Sequence, residues 1–418
     1  MDKNVAKMLI VENQQIIQKI KLTKRNVVFE PHSNYVLVGL RRAGKSYILY
    51  QRAQELIAQG HQPEEILYFN FEDDRLGELS ISDLDTIKLA YEEMYAPRPI
   101  FILDEIQIID GWEKFARRLA DQKYRVYITG SNAKMLSSEI STTLGGRYMI
   151  ERVYPFSFTE YISARGIVLS KGWEYLPNTD VRRELNTYFR QGGLPELIAI
   201  EEPFRRQWMS NLYNKIYFGD IVSRYSIRNT LALKTLLRKL AESVKQPQSF
   251  SRLSNLVSSV TGKVKVDTII DYLSYIEDAC VIFSVSNIAA KLQDRMSNQK
   301  FYFIDNGFLT LLLFDPETSL LENLVAIRLH ELYGDDLFFY KDKVEVDFCL
   351  FDRRIAIQVS YNISDPTTKD REVKALIAYA NRYPGSKLEI ITMDEEKIIE
   401  EDGKKIDVLP LWKWLINS

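Results

Sequence analysis

Residues 39 to 46 read Gly-Leu-Arg-Arg-Ala-Gly-Lys-Ser, two glycines with four residues between them and then a lysine and a serine. That spacing suits a polyphosphate. Glycines let successive backbone amides turn toward one anion, and a helix starting at the lysine adds the positive end of its dipole. Lys45 would reach the outer phosphates and the Ser46 hydroxyl would ligate Mg2+. Gly39, Leu40, Arg41, Arg42, Ala43, Gly44, Lys45, Ser46 and Tyr47 form the expected nucleotide cradle, largely through backbone. The side chains of Arg41 and Arg42 are expected to be free, for general attraction of polyphosphate or simply for solvent.

A second constellation follows at Asp104-Glu105, directly after the apolar run Ile-Phe-Ile-Leu at 100 to 103. A buried strand ending on two acids suits a metal and a water: Asp104 would hold Mg2+ through water, and Glu105 would polarise the attacking water.

These residues need a scaffold that brings strand ends together. From Tyr35 to about Tyr154 short apolar strands alternate with helical stretches, which predicts a parallel sheet with right-handed crossovers. The first residues, MDKNVAKMLIVENQQIIQKIKL, read as an amphipathic helix and not as a signal peptide. Residues 161 to 228 read as mostly helical, with a turn at Gly192-Gly193-Leu194-Pro195. Three short amphipathic helices and a hairpin at 231 to 290 give a winged-helix arrangement, with Ser249 or Ser251 as an N-cap. Beyond residue 300, strands surround a helix at 319 to 333 in a further α/β unit. The expected domains are therefore 1–155, 156–228, 229–300 and 301–418.

The 418 residues are 46% hydrophobic and 27% charged, a globular composition with material for several cores. Cys280 and Cys349 are the only cysteines, both in apolar runs, which excludes a disulfide framework or a cysteine zinc site. No run approaches the length of a membrane span, so a soluble, cytoplasmic protein without membrane contact is expected. Charge is uneven. Residues 224–300 carry 12 Lys/Arg against 6 Asp/Glu, and residues 301–418 carry 14 against 22. A polyanion such as DNA would meet the basic segment, with Lys263, Lys265 and Arg252 nearest its phosphates.

The chain also resembles a large family of prokaryotic AAA-type P-loop ATPases with a C-terminal domain of unknown function. The resemblance is carried by GLRRAGKS, ILDEIQ with GWEKFARRL, ITGSNAKMLSSE with LGGRY, YPFSFTEY, GGLPE, FGDIVSRY, FYFIDNGF, LENLVAIRL, VEVDF and QVSY with DPTTKDREVKAL. It implies an α/β chain: a P-loop NTPase parallel sheet, a helical and winged-helix segment, and a C-terminal restriction-endonuclease-like α/β domain. It also implies a γ-phosphate sensor after the strand VYITGS, where Asn132 is the candidate with Thr129 and Ser131 nearby. Arg147 would contact nucleotide in its own or a neighbouring subunit; a plain surface arginine is the alternative.

The endonuclease-like resemblance implies a helix acid, a strand Asp and a Glu-x-Lys around Mg2+. Glu322 and Asp347 match the first two, with Glu345 as an extra ligand. Gln358 and Ser360 stand at the Glu-x-Lys positions, so the lysine is missing and Lys369 or Lys374 is the only foreseeable substitute. A domain that has lost its nuclease chemistry is therefore expected.

The expected function is an ATP-binding, Mg2+-dependent ATPase whose nucleotide state controls the winged-helix and C-terminal regions, on DNA or on an unidentified protein partner, in a monomer or a homo-oligomer. A nucleotide-gated switch with negligible turnover and an ATP-regulated nuclease are the alternatives.

Overall fold

The computed structural model describes residues 1–131, 138–175 and 178–418. The chain divides into two compact units, Met1–Tyr154 with Asp278–Cys280, and Pro155–Glu277 with Val281–Ser418.

The first unit opens with helix α1 (Lys3–Lys19), which buries Ala6, Leu9, Ile10, Gln14 and Ile17, a stripe spaced by three and four residues. Strand β1 (Asn34–Gly39) leads into α2 (Lys45–Ala58), then come β2 (Ile66–Asn70) and α3 (Ile81–Met94). Strand β3 (Ile100–Asp104), α4 (Trp112–Asp121), β4 (Val126–Gly130), α5 (Ser138–Leu144) and β5 (Tyr148–Val153) complete it. The five strands are parallel in the order β2-β3-β4-β1-β5, as the alternating pattern predicts. Strands β1, β3 and β4 sit inside this order and are apolar nearly throughout, because helices must cover both faces of a parallel sheet. Their C-terminal ends, at Gly39, Asp104 and Gly130, lie side by side, and this edge carries the candidate site.

The second unit begins with α6 (Phe158–Ala164), α7 (Thr179–Gln191) and α8 (Glu202–Lys215), the last continuing into π-helix over Ile216–Ser223. Helix α9 (Thr230–Glu242), the two-residue strand β6 (Gln248–Ser249), α10 (Phe250–Thr261) and α11 (Val266–Asp278) follow. Ser249 is the N-cap of α10, its hydroxyl accepting from the Arg252 N–H. Strand β7 (Ile282–Asn287), α12 (Leu292–Ser297), β8 (Asn298–Phe303), α13 (Asn306–Leu312) and α14 (Glu317–Tyr333) lead to the hairpin β9 (Phe338–Lys341) and β10 (Glu345–Leu350). The chain ends with β11 (Ile355–Val359), α15 (Pro366–Arg382), β12 (Lys387–Thr392), β13 (Lys397–Glu401), β14 (Lys404–Pro410) and α16 (Leu411–Asn417).

One mixed sheet runs through this unit in the order β13-β14-β12-β11-β10-β9-β7-β8-β6. The expected boundary between residues 300 and 301 falls inside β8, so the hairpin of the basic segment and the strands beyond it share a single sheet. The turn at Gly192-Gly193 is tied to the same core: the buried Asp305 carboxylate accepts the Gly193 and Gly307 N–H groups, both at 2.8 Å. No helix among the described residues is long and apolar enough to cross a membrane.

Candidate functional site

Strand β1 ends at Gly39, whose backbone presses so closely on β5 that a side-chain Cβ would lie 2.0 Å from the Val153 carbonyl oxygen. The loop then turns through Arg42 at φ 65° and Gly44 at φ 96°, left-handed positions that reverse it into the start of α2. Arg25 braces the loop from behind. Its guanidinium is buried and donates to the Ala43 carbonyl at 3.0 Å and the Tyr154 carbonyl at 2.8 Å. Lys45 is 4% exposed, and its ammonium donates to the Gly39 and Leu40 carbonyls at 3.1 and 3.2 Å.

Asp104 and Glu105 meet this loop at the end of β3. Asp104 is 1% exposed and accepts from Thr129 Oγ1 and from Tyr68 OH at 2.6 Å, with the Ser46 hydroxyl beside it. Burial raises its carboxyl above the ordinary aspartate range, and these hydroxyls pull it back only in part. Glu105 occupies a left-handed turn, φ 56°, secured by its N–H donating to Thr129 Oγ1 at 2.9 Å. Its carboxylate lies 3.6 Å from the Lys45 ammonium and accepts from Ser131 Oγ at 2.8 Å and from the Gln107 amide. Burial pushes this carboxyl up, but Lys45, Gln107, Ser131 and Arg41 outweigh it and leave it below the usual glutamate value.

The structure therefore gathers Gly39 to Ser46, Asp104, Glu105, Thr129 and Ser131 at one sheet edge. The Ser46 hydroxyl beside the Asp104 carboxylate is the hard-oxygen donor set that Mg2+ takes. Tyr47 lies on the exposed side of α2, its ring edge-on to Tyr50. Asn132 lies outside the described residues. Two expectations are corrected. Arg41 is not free: its guanidinium pairs with Glu72 at 3.2 Å. Arg147 is not at the candidate site of its own chain. The parallel register sets Asn34 against Tyr148 and Gly39 against Val153, so Arg147 stands at the far end of β5, about 20 Å from the loop at roughly 3.3 Å per residue. There it pairs with Asp121 at 2.5 Å.

Tyr68, Gln107 and Arg25 were missed by reading the sequence. Tyr68 lies on β2, paired with Ile102 of β3, and only that pairing places its hydroxyl on Asp104. Arg25, in the segment between α1 and β1, carries no local signal.

In the second unit, Glu322 of α14 and Glu345 and Asp347 of β10 do come together, but around a lysine. The Lys300 ammonium of β8 lies 3.4 Å from Glu322, 3.1 Å from Glu345 and 3.4 Å from Asp347. The expectation that no cation stands near these acids is overturned, because β8 and β10 belong to one sheet and the Lys300 side chain reaches from β8 to α14 and β10. Burial pushes the Glu322 carboxyl up to about 7 even with Lys300 beside it. Gln358 is not a ligand. Its amide clamps β10, accepting from the Asp347 N–H at 2.8 Å and donating to the Glu345 carbonyl at 3.0 Å. The Ser360 hydroxyl donates to the Asn362 carbonyl. Lys374 points outward to Asp370, and Lys369 on the same helix is half-buried.

Comparison with known proteins agrees with this geometry. Residues 32–162 match the AAA domain, and residues 182–319 match a domain of unknown function, DUF8612. Among solved structures, the Walker-type ATPase PABY2304 of Pyrococcus abyssi aligns with 71% of this chain and 99% of its own, at 12% identity and a TM-score of 0.44. The chain is 30% identical to an uncharacterized protein of Haemophilus influenzae, across 91% of this chain and 94% of that one. It is 32% identical to Uncharacterized protein MJ1544 of Methanocaldococcus jannaschii, across 98% of this chain and 94% of that one. The chain belongs to the family of these two relatives, and the AAA domain it carries spans the loop, Asp104 and Glu105.

Proposed function

We propose that the protein is a Mg2+-dependent ATPase whose nucleotide state controls the second unit. The observation that carries this reading is Glu105 held 3.6 Å from Lys45 at the edge where the phosphate loop ends. Gly39 to Ser46 would bind the phosphates, Lys45 moving from the Gly39 and Leu40 carbonyls to phosphate oxygens. Ser46 and Asp104 would hold Mg2+, which when bound neutralises charge on the outer phosphates. Glu105 would accept the proton of the attacking water, with Ser131 and Thr129 fixing its orientation. ATP hydrolysis by the wild type and by Lys45→Ala tests this. Turnover lost in the variant is expected; equal turnover in both refutes the assignment.

A nucleotide-gated switch with negligible turnover is the second reading. Lys45, Gln107 and Ser131 all engage the Glu105 carboxylate, which favours a resting state. A slow rate insensitive to Glu105→Gln would select it.

DNA is the proposed partner of the second unit. The order α9, β6, α10, α11, β7, β8 is that of a winged helix, and a cleft of about 660 Å3 beside the start of α11 is lined by Ser254, Asn255, Ser258, Lys263, Lys265 and Asp267. A helix start with two lysines attracts backbone phosphates. Asp267 and Asp271 on α11 are exposed as well, which limits the affinity and keeps it independent of sequence. The order α14, β9, β10, β11, α15, β12 supports an endonuclease-like fold, and the engagement of Gln358 with backbone supports loss of the nuclease chemistry.

A further inference from the structure

Lys300 has no exposed side-chain surface, and its ammonium is within 3.4 Å of three carboxylates. The same ammonium lies over the ring of Phe339, 5.3 Å from its centroid. An ammonium or a carboxylate buried alone is costly, so the fully buried Lys300 and Glu322 depend on each other, while Asp347 and the partly exposed Glu345 complete the charge balance from the rim. The remaining polar capacity is also committed. Tyr302 OH donates to Glu322 at 2.7 Å, the second oxygen of Asp347 accepts the Val359 N–H at 2.9 Å, and the second oxygen of Glu345 pairs at 2.7 Å with the half-exposed Lys341, at the rim of the cluster.

The spacing says which cation the cluster is shaped for. Oxygens bound to Mg2+ lie at about 2.0–2.1 Å and those bound to Ca2+ at about 2.3–2.6 Å. Here the three oxygens stand 3.1 to 3.4 Å from a common centre, the reach of an ammonium. With Lys300 in place, no group of three acidic, histidine or cysteine side chains among the described residues is disposed to hold a metal ion. Elements from different parts of the chain meet at this one charge: β8 supplies the lysine, α14 one acid, and β10 the other two.

We propose that Lys300 is the resident cation of this cluster, tying α14 to β8 and β10 and keeping the carboxylates closed to divalent ions, so that removing its charge converts them into a divalent-cation site. The inference concerns the second unit alone and stands or falls independently of ATP hydrolysis.

The test uses the full-length protein, Mn2+ as probe, and the Asp347→Asn variant to isolate binding at this cluster. Wild type is expected to show no Mn2+ binding, by calorimetry or by change in melting temperature, that Asp347→Asn removes. Lys300→Gln is expected to melt lower than wild type, to recover stability with Mn2+, and to bind Mn2+ at least tenfold more tightly. Adding Asp347→Asn to Lys300→Gln should abolish that gain. Mn2+ binding by wild type that depends on Asp347, or plasmid cleavage in Mn2+ that Asp347→Asn abolishes, would overturn the proposal by showing that metal and lysine coexist. A folded Lys300→Gln protein indifferent to Mn2+ would overturn it equally. If Lys300→Gln does not fold even with Mn2+, the wild-type measurement decides alone.

Discussion

Glu105→Gln keeps the shape of the side chain and removes its charge, and the surroundings of that charge let the outcome be worked out on both sides of the reaction. With an effective dielectric of about 20, a pair 3.6 Å apart attracts by about 4.6 kcal/mol gross. ATP must draw Lys45 partly out of this pairing and bring its own negative charge toward Glu105. Much of the gross figure is compensated, because the Gly39 and Leu40 carbonyls also hold Lys45 and a glutamine still reaches Ser131. A net gain of about 1–2 kcal/mol is expected, which is roughly tenfold tighter ATP. Hydrolysis moves the other way, since an amide cannot take the proton of the attacking water, and loss of a general base costs on the order of 10²–10⁴-fold in rate. The assay pairs equilibrium binding of ATP in Mg2+ with phosphate release at saturating ATP. Tighter binding with suppressed release is the expected result. Release at the wild-type rate, or binding weakened together with release, would refute the placement of Glu105 between Lys45 and the water.

Tyr68→Phe removes a 2.6 Å hydrogen bond to the buried Asp104 carboxylate, so the carboxyl rises further and a several-fold higher Mg2+ concentration should be needed for half-maximal ATPase rate; an unchanged Mg2+ titration contradicts this. Asp305→Ala leaves the Gly193 and Gly307 N–H groups without their acceptor and should destabilise the protein by about 1–3 kcal/mol for each, read from urea midpoints. Asp305 also predicts a pH slope. Burial raises its carboxyl from 3.8 to about 7 against the pull of those two N–H groups, so the folded protein holds a proton that the unfolded chain has released. Its stabilising contribution is thus full below about pH 4 and lost as the pH rises to about 7, and Asp305→Asn should flatten that slope in the urea midpoint. Duplex DNA binding, followed by gel shift, should weaken with salt at a log–log slope of about −0.9 per phosphate neutralised, and Lys263→Ala with Lys265→Ala should make the slope shallower by about two such steps. Absence of binding at low salt would remove DNA from the second unit.

Most of the candidate site was legible because its signals are local. The glycine spacing lies within a few residues of the strand before it, and the two acids directly follow their own apolar run. What stayed hidden depends on which strands become neighbours. Tyr68 reaches Asp104 only because β2 borders β3, and Lys300 meets Asp347 only because β7 and β9 join β8 and β10 into one sheet. A faint signal existed for the lysine: Lys300 and Tyr302 share one face of β8 by the period of two, and Glu345 and Asp347 share one face of β10. Counting Lys300 within a basic segment hid it, since that charge faces inward. Of the readings open for Arg147, contact within its own chain fails for the opposite reason. That arginine is close in sequence to the site, but the chain returns to the far end of the sheet before β5 begins.

The shared sheet has a bearing on how the gene can be cut. Asn287 at the end of β7 exchanges two hydrogen bonds with the Lys341 backbone, and the Ile288 N–H donates to the Phe339 carbonyl, so β9 is stitched to a hairpin that lies some fifty residues earlier. A shortened gene ending at codon 300 would delete Phe301, Tyr302 and Phe303 from β8 and leave β7 as a bare edge, a surface that recruits other chains. Such a fragment should precipitate, whereas one that keeps residues 155 to 418 together should fold as a single cooperative body. Workable dissections of this protein therefore run around the sheet and not through it.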